Sequence, residues 1–311
     1  MISVTTLNSR FLLEREVQMG MLRLDKLHPY ISGNKWFKLH RLIQRLEKGE
    51  RPNLISFGGA WSNHLHALAY VGHCFGVKTL GFVRGHPESP PTAMLDDVRG
   101  WGMEIRFLGR EAYRQKDKPA FLAELTAEYP GWVVIPEGGS GADAVHGCRQ
   151  IWADMEVGEW SEPDILACAV GTGGTLAGLV AGKPPSTEVI GVPVLNLGEN
   201  AVAMVRGLLE QAGYVDPGGW HIDSQGVFGG YARLPGQLAL LDQLFSARHH
   251  FDLDPVYTLK LVMSIHRGIL RGSIPAGSRV LLVHSGGLQG RRGFQDRIQR
   301  AVSDFYGPLP L

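Results

Sequence analysis

The chain has 311 residues, with 31 lysines and arginines against 30 aspartates and glutamates, so its formal charge is +1. A nearly neutral chain has no excess of basic groups for a polyanion, so nucleic acid is not expected as a partner. Hydrophobic residues make up 44% and charged residues 20% of the chain, which is ordinary globular usage and excludes a disordered protein. The 41 glycines exceed the typical share of about 7% and indicate many tight turns or close backbone approaches.

The three cysteines, Cys74, Cys148 and Cys168, form no C-x-x-C pair. This spacing predicts neither a disulfide framework nor a zinc site, and it favours a reducing compartment. The N-terminal segment has no basic-then-apolar signal pattern, and no window of about 18 residues is apolar enough to span a bilayer. We therefore expect a cytoplasmic protein that has no membrane partner and no metal site.

Short apolar runs that end in glycine-rich turns alternate along the chain with longer stretches of helical spacing. The apolar runs predict strands at Asn53–Phe57, Thr79–Val83, Glu104–Leu108, Trp132–Ile135, Asp164–Val170, Glu188–Val192 and Arg279–His284. The stretches of helical spacing predict helices at Trp36–Lys48, Asn63–Phe75, Ala93–Gly100, Lys118–Tyr129, Ala142–Met155, Thr175–Ala181, Glu199–Ala212, Gly236–Arg248 and Lys260–Arg271.

This alternation predicts an α/β protein with two open, twisted, mostly parallel sheets that carry helices on both faces. One group of strand and helix units falls between about residues 54 and 136, and a second group with its own glycine loop falls between residues 164 and 284. We therefore predict a smaller αβ domain over residues 45–142 and a larger domain made of residues 1–44 and 143–311. A ligand site is expected in the cleft between the domains.

The first candidate site residue is Lys35, which stands at the mouth of a predicted helix in the segment SGNKWFKL. A lysine at the positive end of a helix, among aromatic and apolar neighbours, loses hydration, and this lowers its pKa below the ~10.4 of a free side chain. A Schiff-base lysine needs such a neutral amine. Most lysines at helix starts are solvated, so Lys35 taken alone leaves a structural role open.

A Gly-Gly turn after the first predicted strand leads into Ser62, Asn63 and His64, at the start of the next predicted helix. Ser62 is a good helix N-cap, and a cap alone explains a serine at this place. The same local geometry presents a hydroxyl group and backbone N–H groups to a carboxylate. The segment is therefore either a helix cap or a carboxylate cradle.

The predicted strand that ends at Val170 is followed by a glycine-rich loop and then by an apolar helical stretch. The loop consists of Gly171, Thr172, Gly173, Gly174 and Thr175. Free N–H groups and the positive end of a helix dipole make such a loop a phosphate site, although a tight turn without a ligand is the alternative. Leu176 replaces the third glycine of a dinucleotide fingerprint, which leaves Glu188 as a weak ribose candidate and favours a single phosphate.

The GNK-x-x-KL segment, the GG-x-x-SNH turn and the VGTGGT loop occur here in an order and spacing that resemble the fold-type II pyridoxal-phosphate enzymes. Within them, the chain is most similar to the D-cysteine desulfhydrase and 1-aminocyclopropane-1-carboxylate (ACC) deaminase family. The DPVY segment at 254–257 and the H-x-GG segment at 284–287 agree with this resemblance. It covers the chain from about residue 10 to residue 295.

The resemblance implies that Lys35 holds pyridoxal 5'-phosphate as a Schiff base and later acts as the base at the substrate α-carbon. It implies that Asn63 donates to the 3-oxygen of the cofactor, while Ser62 and His64 hold the substrate carboxylate. Ser62 is alternatively a proton-transfer group, as the matching serine is in the deaminases. The loop from Gly171 to Thr175 then cradles the cofactor phosphate.

Two tyrosines, Tyr231 and Tyr257, match tyrosines that face the substrate in the family, and by resemblance they join Lys35 and Ser62 as catalytic candidates. Without the resemblance, two core aromatics are the simpler interpretation. Thr258 or Ser285 is expected to face the pyridine nitrogen, and the family also implies a homodimer that acts on a small amino acid.

Departures from the ring-opening deaminases indicate the reaction. Those deaminases carry a glutamate where this chain has Thr258 and a leucine where it has Ser285. Hydroxyl residues at both places resemble the desulfhydrase branch, so the expected reaction is α,β-elimination from D-cysteine, which gives pyruvate, ammonia and sulfide. The alternatives are ACC deaminase, an ammonia-lyase for L-cysteate or D-serine, a nicotinamide-dependent oxidoreductase, and a protein that binds the cofactor without catalysis.

Overall fold

The computed structural model describes residues 1–155, 158–198 and 200–306. The strands in these residues are β1 (Val4–Leu7), β2 (Gln18–Arg23), β3 (Leu54–Gly59), β4 (Thr79–Arg84), β5 (Glu104–Leu108), β6 (Val133–Val134), β7 (Ile165–Val170), β8 (Glu188–Pro193), β9 (Trp220–Ile222) and β10 (Arg279–His284). The α-helices are α1 (Arg10–Glu14), α2 (Asn34–Lys38), α3 (His40–Glu47), α4 (Asn63–Phe75), α5 (Ala93–Gly100), α6 (Arg110–Arg114), α7 (Pro119–Glu128), α8 (Ala142–Arg149), α9 (Ile151–Asp154), α10 (Gly174–Gly182), α11 (Asn200–Gln211), α12 (Gly236–His249), α13 (Thr258–Arg271) and α14 (Gln295–Tyr306).

The strands form two sheets, so the predicted α/β architecture is confirmed. The larger sheet has six strands in the order β1-β2-β10-β7-β8-β9, and the smaller has four in the order β5-β4-β3-β6. Only the pair β1 and β2 is antiparallel among the described strands, and every other neighbouring pair is parallel. The smaller sheet lies within the predicted smaller domain, whose boundaries at 45 and 142 stay a prediction.

The larger sheet is covered on both faces because its central strands are apolar throughout. In β10, Val280 and Leu282 join one hydrophobic core while Leu281 and Val283 join the core on the opposite face. This division follows from the two-residue period of a strand. It also explains why this segment forms a strand, since a continuous apolar run suits a sheet that has no solvent-facing side.

Some elements of the structure were not predicted from the sequence, and two predicted helices are each divided in two. The strands β1, β2 and β9 and the helices α1, α6 and α14 were not predicted. The predicted helix Trp36–Lys48 is two helices, α2 and α3, which are separated at Leu39, where ψ is 0°. The predicted helix Ala142–Met155 is likewise divided, into α8 and α9, at Gln150. The prediction that a helix starts at Glu199 falls on a residue outside the described ranges, and α11 is described from Asn200.

The parallel strands direct their carboxyl ends toward one cleft. The last residues of β3 and β4 and the residues after β7 and β10 line the same cavity. Loops at the carboxyl ends of parallel strands are the usual place for a ligand in open α/β sheets. The fold therefore gathers segments from distant parts of the chain around one site.

A close approach between α2 and α8 fixes the position of the helix that carries Lys35. A Cβ atom on Gly147 of α8 would lie 1.9 Å from the backbone oxygen of Phe37 in α2. Only glycine leaves room for this contact. Gly207, in the interior of α11, has no such neighbour, because nothing lies within 4 Å of the position of its Cβ atom.

We predict that Gly147→Ala lowers the free energy of unfolding by roughly 1–3 kcal/mol, because the added methyl group displaces the backbone of α2. The control Gly207→Ala should raise it by about 0.5–1 kcal/mol, the usual gain for a helical glycine. Urea unfolding followed by circular dichroism measures both. Equal effects of the two substitutions would show that α2 does not depend on this contact.

Candidate active site

The cleft between the sheets contains a cavity of about 250 Å³. Most of the predicted site residues lie on its wall, namely Lys35, Ser62, Asn63, His64, Gly171, Thr172, Gly173, Thr175, Tyr231, Tyr257 and Ser285. Gly174 and Thr258 are not on the wall. Gly174 instead packs closely against Ser140 and Ala144, and Thr258 is fully buried at the start of α13.

Lys35 lies in the first turn of α2, and the start of this helix is held against the segment after β10. The N-cap residue Gly33 has a φ of +65°, and a Cβ atom there would lie 1.9 Å from the backbone oxygen of Ser285. The Asn34 N–H donates to the same oxygen at 3.2 Å. Lys35 Nζ donates to Asn34 Oδ1 at 3.2 Å and has no carboxylate partner among the described residues.

Burial and the positive charge of Lys38 lower the pKa of Lys35 to about 7. Since desolvation penalises the ammonium form, a large share of the amine is neutral at neutral pH. The side chain is therefore a nucleophile in the form that reacts with an aldehyde. This agrees with the physical argument made from the sequence.

Lys38 is a site residue that the sequence analysis missed. Its Nζ donates to the Gly138 oxygen at 3.0 Å, to Ser140 Oγ at 3.0 Å and to Thr172 Oγ1 at 3.3 Å. Burial lowers its pKa to about 8. The sequence feature that could have identified Lys38 is its place as the second lysine of the GNK-x-x-KL segment, one helical turn after Lys35. Lys38 places a cation beside the glycine loop without any acidic partner among the described residues.

The glycine loop is arranged to bind an anion. Gly173 has a φ of +80° and is the N-cap of α10, a helix of nine residues whose first N–H groups have no partner within the helix. The N–H groups of Gly171, Thr172 and Gly173 donate to no acceptor among the described residues. Thr175 Oγ1 accepts from Asn34 Nδ2 at 2.8 Å, which ties the loop to α2. Unpaired N–H groups at a helix N-terminus, beside a lysine, suit a phosphate group.

The turn after β3 caps a helix and also lines the cavity. The structure is therefore compatible with a helix-cap role and with a carboxylate-binding role for the serine of this turn. Ser62 Oγ accepts from the N–H of Leu65 at 3.2 Å and caps α4. Asn63, which lines the cavity, accepts through Oδ1 from Gln289 Nε2 at 2.6 Å, and its amide Nδ2 donates to no acceptor among the described residues.

His64 is neutral and has one unpartnered ring nitrogen. The hydroxyl of Ser56 donates to the Ile135 oxygen at 2.7 Å, so it accepts at 2.8 Å from His64 Nε2. His64 Nδ1 is consequently a buried acceptor without a partner among the described residues. Burial and the charges of Lys35 and Lys38 hold the pKa of His64 well below its usual value.

The two predicted tyrosines meet at one side of the cavity. Their ring centroids are 6.5 Å apart, and the rings are inclined at 73°. Tyr257 lies against the glycine loop, because a Cβ atom on Gly171 would be 3.2 Å from its Cε1 atom. Burial raises the pKa of both phenols, so each is a protonated hydroxyl at neutral pH.

Ser285 is held in place by the buried histidine before it. His284 Nε2 donates to the Asp252 oxygen at 2.9 Å, and its Nδ1 accepts from the N–H of Gly286 at 3.2 Å. Burial lowers the pKa of His284, which keeps this neutral arrangement. The turn that carries Ser285 is therefore fixed against the sheet.

Two further buried oxygens near this turn have no partner among the described residues, namely Thr258 Oγ1 and Asp254 Oδ2. The other carboxylate oxygen of Asp254 accepts from the N–H groups of Val256 and Tyr257. Burial raises the pKa of Asp254 to about 7. Buried polar atoms normally have hydrogen-bond partners, so these two oxygens are exceptions, and both lie behind the cavity wall and not on it.

Arg84 and Glu137 are the other charged residues that line the cavity and were missed from sequence. Arg84 ends β4, and Glu137 lies in the turn Glu137–Gly139. Neither follows a recognisable motif, and only the folded chain brings them to the site. Glu188, the ribose candidate, does not line the cavity, and it pairs with His221 at 2.8 Å on the surface.

A nucleophilic lysine, an anion-binding loop and an unpartnered histidine nitrogen around one cavity define an enzyme for a phosphorylated aldehyde cofactor. The residues present fit pyridoxal phosphate, which offers an aldehyde, a phosphate and a ring nitrogen. The chain belongs to the family of pyridoxal-phosphate dependent enzymes, whose family model matches residues 9–286. The cofactor prediction is thereby confirmed, and the nicotinamide alternative is set aside.

Relatives of this chain carry two different activities in their names. It is 28% identical over 288 residues to a 1-aminocyclopropane-1-carboxylate deaminase of Ralstonia pickettii, with 83% of this chain and 82% of the relative covered. It is 25% identical over 286 residues to a D-cysteine desulfhydrase of Salmonella paratyphi A, with 86% of each chain covered. A crystal structure of an ACC deaminase homologue matches the fold with a TM-score of 0.80 at 24% identity, covering 96% of this chain and 93% of the other.

The structure also bears on the expected absence of a membrane span. In the part of the chain that it describes, no helix combines the length and the apolar content that crossing a bilayer requires.

We predict that the amine of Lys35 becomes reactive around pH 7 instead of around pH 10. Its pKa is lowered, so reactivity should be present above pH 7 and lost as the pH falls below it. Brief acetylation of the cofactor-free protein between pH 5 and pH 11, quantified by mass spectrometry of the Lys35 peptide, measures the midpoint. The exposed Lys48 on the same protein serves as the internal reference for the reagent. A Lys35 midpoint near pH 10 would contradict the burial argument.

Proposed function

We propose that this enzyme catalyses α,β-elimination from D-cysteine or a closely related amino acid with a leaving group on Cβ, releasing pyruvate, ammonia and, from D-cysteine, sulfide. The observation that carries the proposal is the pair of hydroxyl residues Thr258 and Ser285, at the two places where the ring-opening deaminases carry glutamate and leucine. Ser285 lies on the cavity wall, and the hydroxyl of Thr258 is buried and unpartnered.

The type of group beside the cofactor ring affects which reaction is favoured. Pyridoxal phosphate, when bound, supplies an electron sink for the negative charge that develops at the substrate α-carbon. A carboxylate at its ring nitrogen keeps that nitrogen protonated and strengthens the sink, whereas a hydroxyl shares a neutral hydrogen bond. Elimination expels a leaving group and needs less carbanion stabilisation than ring opening, so hydroxyl residues favour elimination.

The residues around the cavity would hold the cofactor at each of its polar groups. Lys35 would bind the aldehyde carbon. The glycine loop and Lys38 would bind the phosphate, because the free N–H groups and the ammonium group lie side by side. Asn63 would donate to the 3-oxygen, and Ser285 or Thr258 would pair with the ring nitrogen.

Other residues would act on the amino acid itself. Lys35, released from the cofactor by the substrate amine, would take the proton from the α-carbon, which its pKa of about 7 permits at neutral pH. The hydroxyl of Ser62 and the backbone N–H groups of the following turn would hold the α-carboxylate. Tyr231 and Tyr257 would contact the substrate with neutral hydroxyls. Release of 2-aminoacrylate and its hydrolysis would then give pyruvate and ammonia.

A second candidate is ACC deamination, and the specific observation in its favour is the 28% identity to the Ralstonia pickettii enzyme. Both reactions use the same lysine and the same phosphate loop. They differ in the product, because ring opening of ACC yields 2-oxobutyrate and ammonia without sulfide. An ammonia-lyase for cysteate would release sulfite instead.

We predict that the kcat/KM of the purified enzyme is higher for the release of sulfide and pyruvate from D-cysteine than for the release of 2-oxobutyrate from ACC. Lys35→Ala should lower turnover at least about 10²-fold, since it removes the general base. The control Lys48→Ala removes an exposed lysine at the end of α3 and should retain turnover. A higher kcat/KM for ACC would replace the proposal with the deaminase, and unchanged turnover in Lys35→Ala would contradict both.

A further inference from the structure

Among the described residues that line the cavity, Arg84 is the one cation for which the proposed function gives no role. It is the last residue of β4, beside Gly59 of β3 in the sheet register. A Cβ atom on Gly59 would lie 3.9 Å from Arg84 Nη2, so the guanidinium group lies beside Gly59, at the start of the turn that leads to Ser62. Among the described residues Arg84 has no carboxylate within 4.0 Å and makes no hydrogen bond.

The acid that lines the same cavity is already engaged. Glu137 Oε1 accepts from the hydroxyl of Tyr113 at 2.7 Å, and Glu137 Oε2 lies 3.2 Å from Lys116 Nζ. The Arg84 guanidinium carbon is 5.7 Å from the centre of the Tyr113 ring. Lys116 Nζ also lies 2.7 Å from Asp117 Oδ2, so Lys116 is shared by two carboxylates, while the exposed guanidinium group of Arg84 has no ion pair of its own among the described residues.

The other positive groups of the cavity have their own partners in the proposed function. Lys35 binds the aldehyde and Lys38 the phosphate, while the turn of Ser62 holds the α-carboxylate of the substrate. An unpaired guanidinium in a cleft attracts an anion, and its planar fork suits a carboxylate or a sulfonate. One more anionic group on the amino acid is therefore accommodated.

We propose that Arg84 binds the β-substituent of the substrate, so that the site selects amino acids whose β-substituent is anionic or departs as an anion. This inference rests on the proposed function for the placement of the α-carboxylate. In the elimination, the α-proton passes to Lys35, a Cα–Cβ double bond forms, and the Cβ–S bond breaks with its electron pair on sulfur. The hydrosulfide or sulfite that leaves carries negative charge, which Arg84 would stabilise.

Binding titrations test this inference without requiring turnover. The ligands are aspartate and asparagine in both enantiomers, because the two amino acids have the same shape and differ in the charge at the β-position. The dissociation constant is read from the change in visible absorbance of the holoenzyme. The wild type should bind one enantiomer of aspartate more tightly than the matching enantiomer of asparagine. Arg84→Gln should raise the dissociation constant of aspartate about tenfold to a hundredfold and leave that of asparagine unchanged.

The controls separate a local role from a general one. Arg99→Gln removes an exposed arginine of α5 whose one ion pair among the described residues is with Asp96, and it should keep the wild-type preference for aspartate. Arg84→Lys keeps the charge and should retain part of the preference, and it replaces Arg84→Gln in the test if the latter does not bind cofactor.

Two results would overturn the inference. One is a wild type with no preference for aspartate over asparagine. The other is an equal loss of affinity for aspartate and asparagine in Arg84→Gln, which would show that Arg84 binds the α-carboxylate. A lack of sulfide release from D-cysteine with the aspartate preference intact would instead overturn the proposed reaction and leave the role of Arg84 standing.

Discussion

The contact between Gly33 and the turn after β10 is the constraint on which the site depends. It joins the N-terminal helix that carries Lys35 to the C-terminal turn that carries Ser285, with no space for a side chain between them. The same backbone oxygen of Ser285 accepts from Asn34, and the side chain of Asn34 in turn reaches the glycine loop. Lys35, Ser285 and the glycine loop are thus held at fixed relative positions by one connected set of contacts.

The electrostatics of the cavity follow from that arrangement. Lys35, Lys38 and Arg84 share one cleft, while the carboxylate of Glu137 is already paired. Loss of water lowers the pKa of both lysines, and the charge of Lys38 lowers that of Lys35 further, so a large share of Lys35 is a neutral amine at neutral pH. The remaining positive charge suits a ligand with several anionic groups, which a phosphorylated cofactor together with an amino acid provides.

The sequence was sufficient for the fold class and for most of the cavity wall, because apolar runs and glycine turns are local signals. It missed β1 and β2, whose short runs become strands only by pairing with β10 and with each other. Lys38 and Arg84 were missed for a related reason. A charged residue cannot be recognised as functional from the sequence when its role depends on its having no partner of opposite charge in the folded chain. Tyr231, Tyr257, Thr258 and Ser285 were identified by resemblance alone, and the chemical roles of all the site residues stay predictions.

Reduction of the holoenzyme with borohydride, followed by peptide mass spectrometry, tests the central claim most directly. Borohydride fixes the cofactor to whichever amine holds it, so the modified residue is read without any assumption about the substrate. The account predicts a pyridoxyl phosphate group on Lys35 and none on the neighbouring Lys38. Modification of Lys38, or of any lysine outside the cavity, would contradict the assignment of the nucleophile and of the phosphate site together.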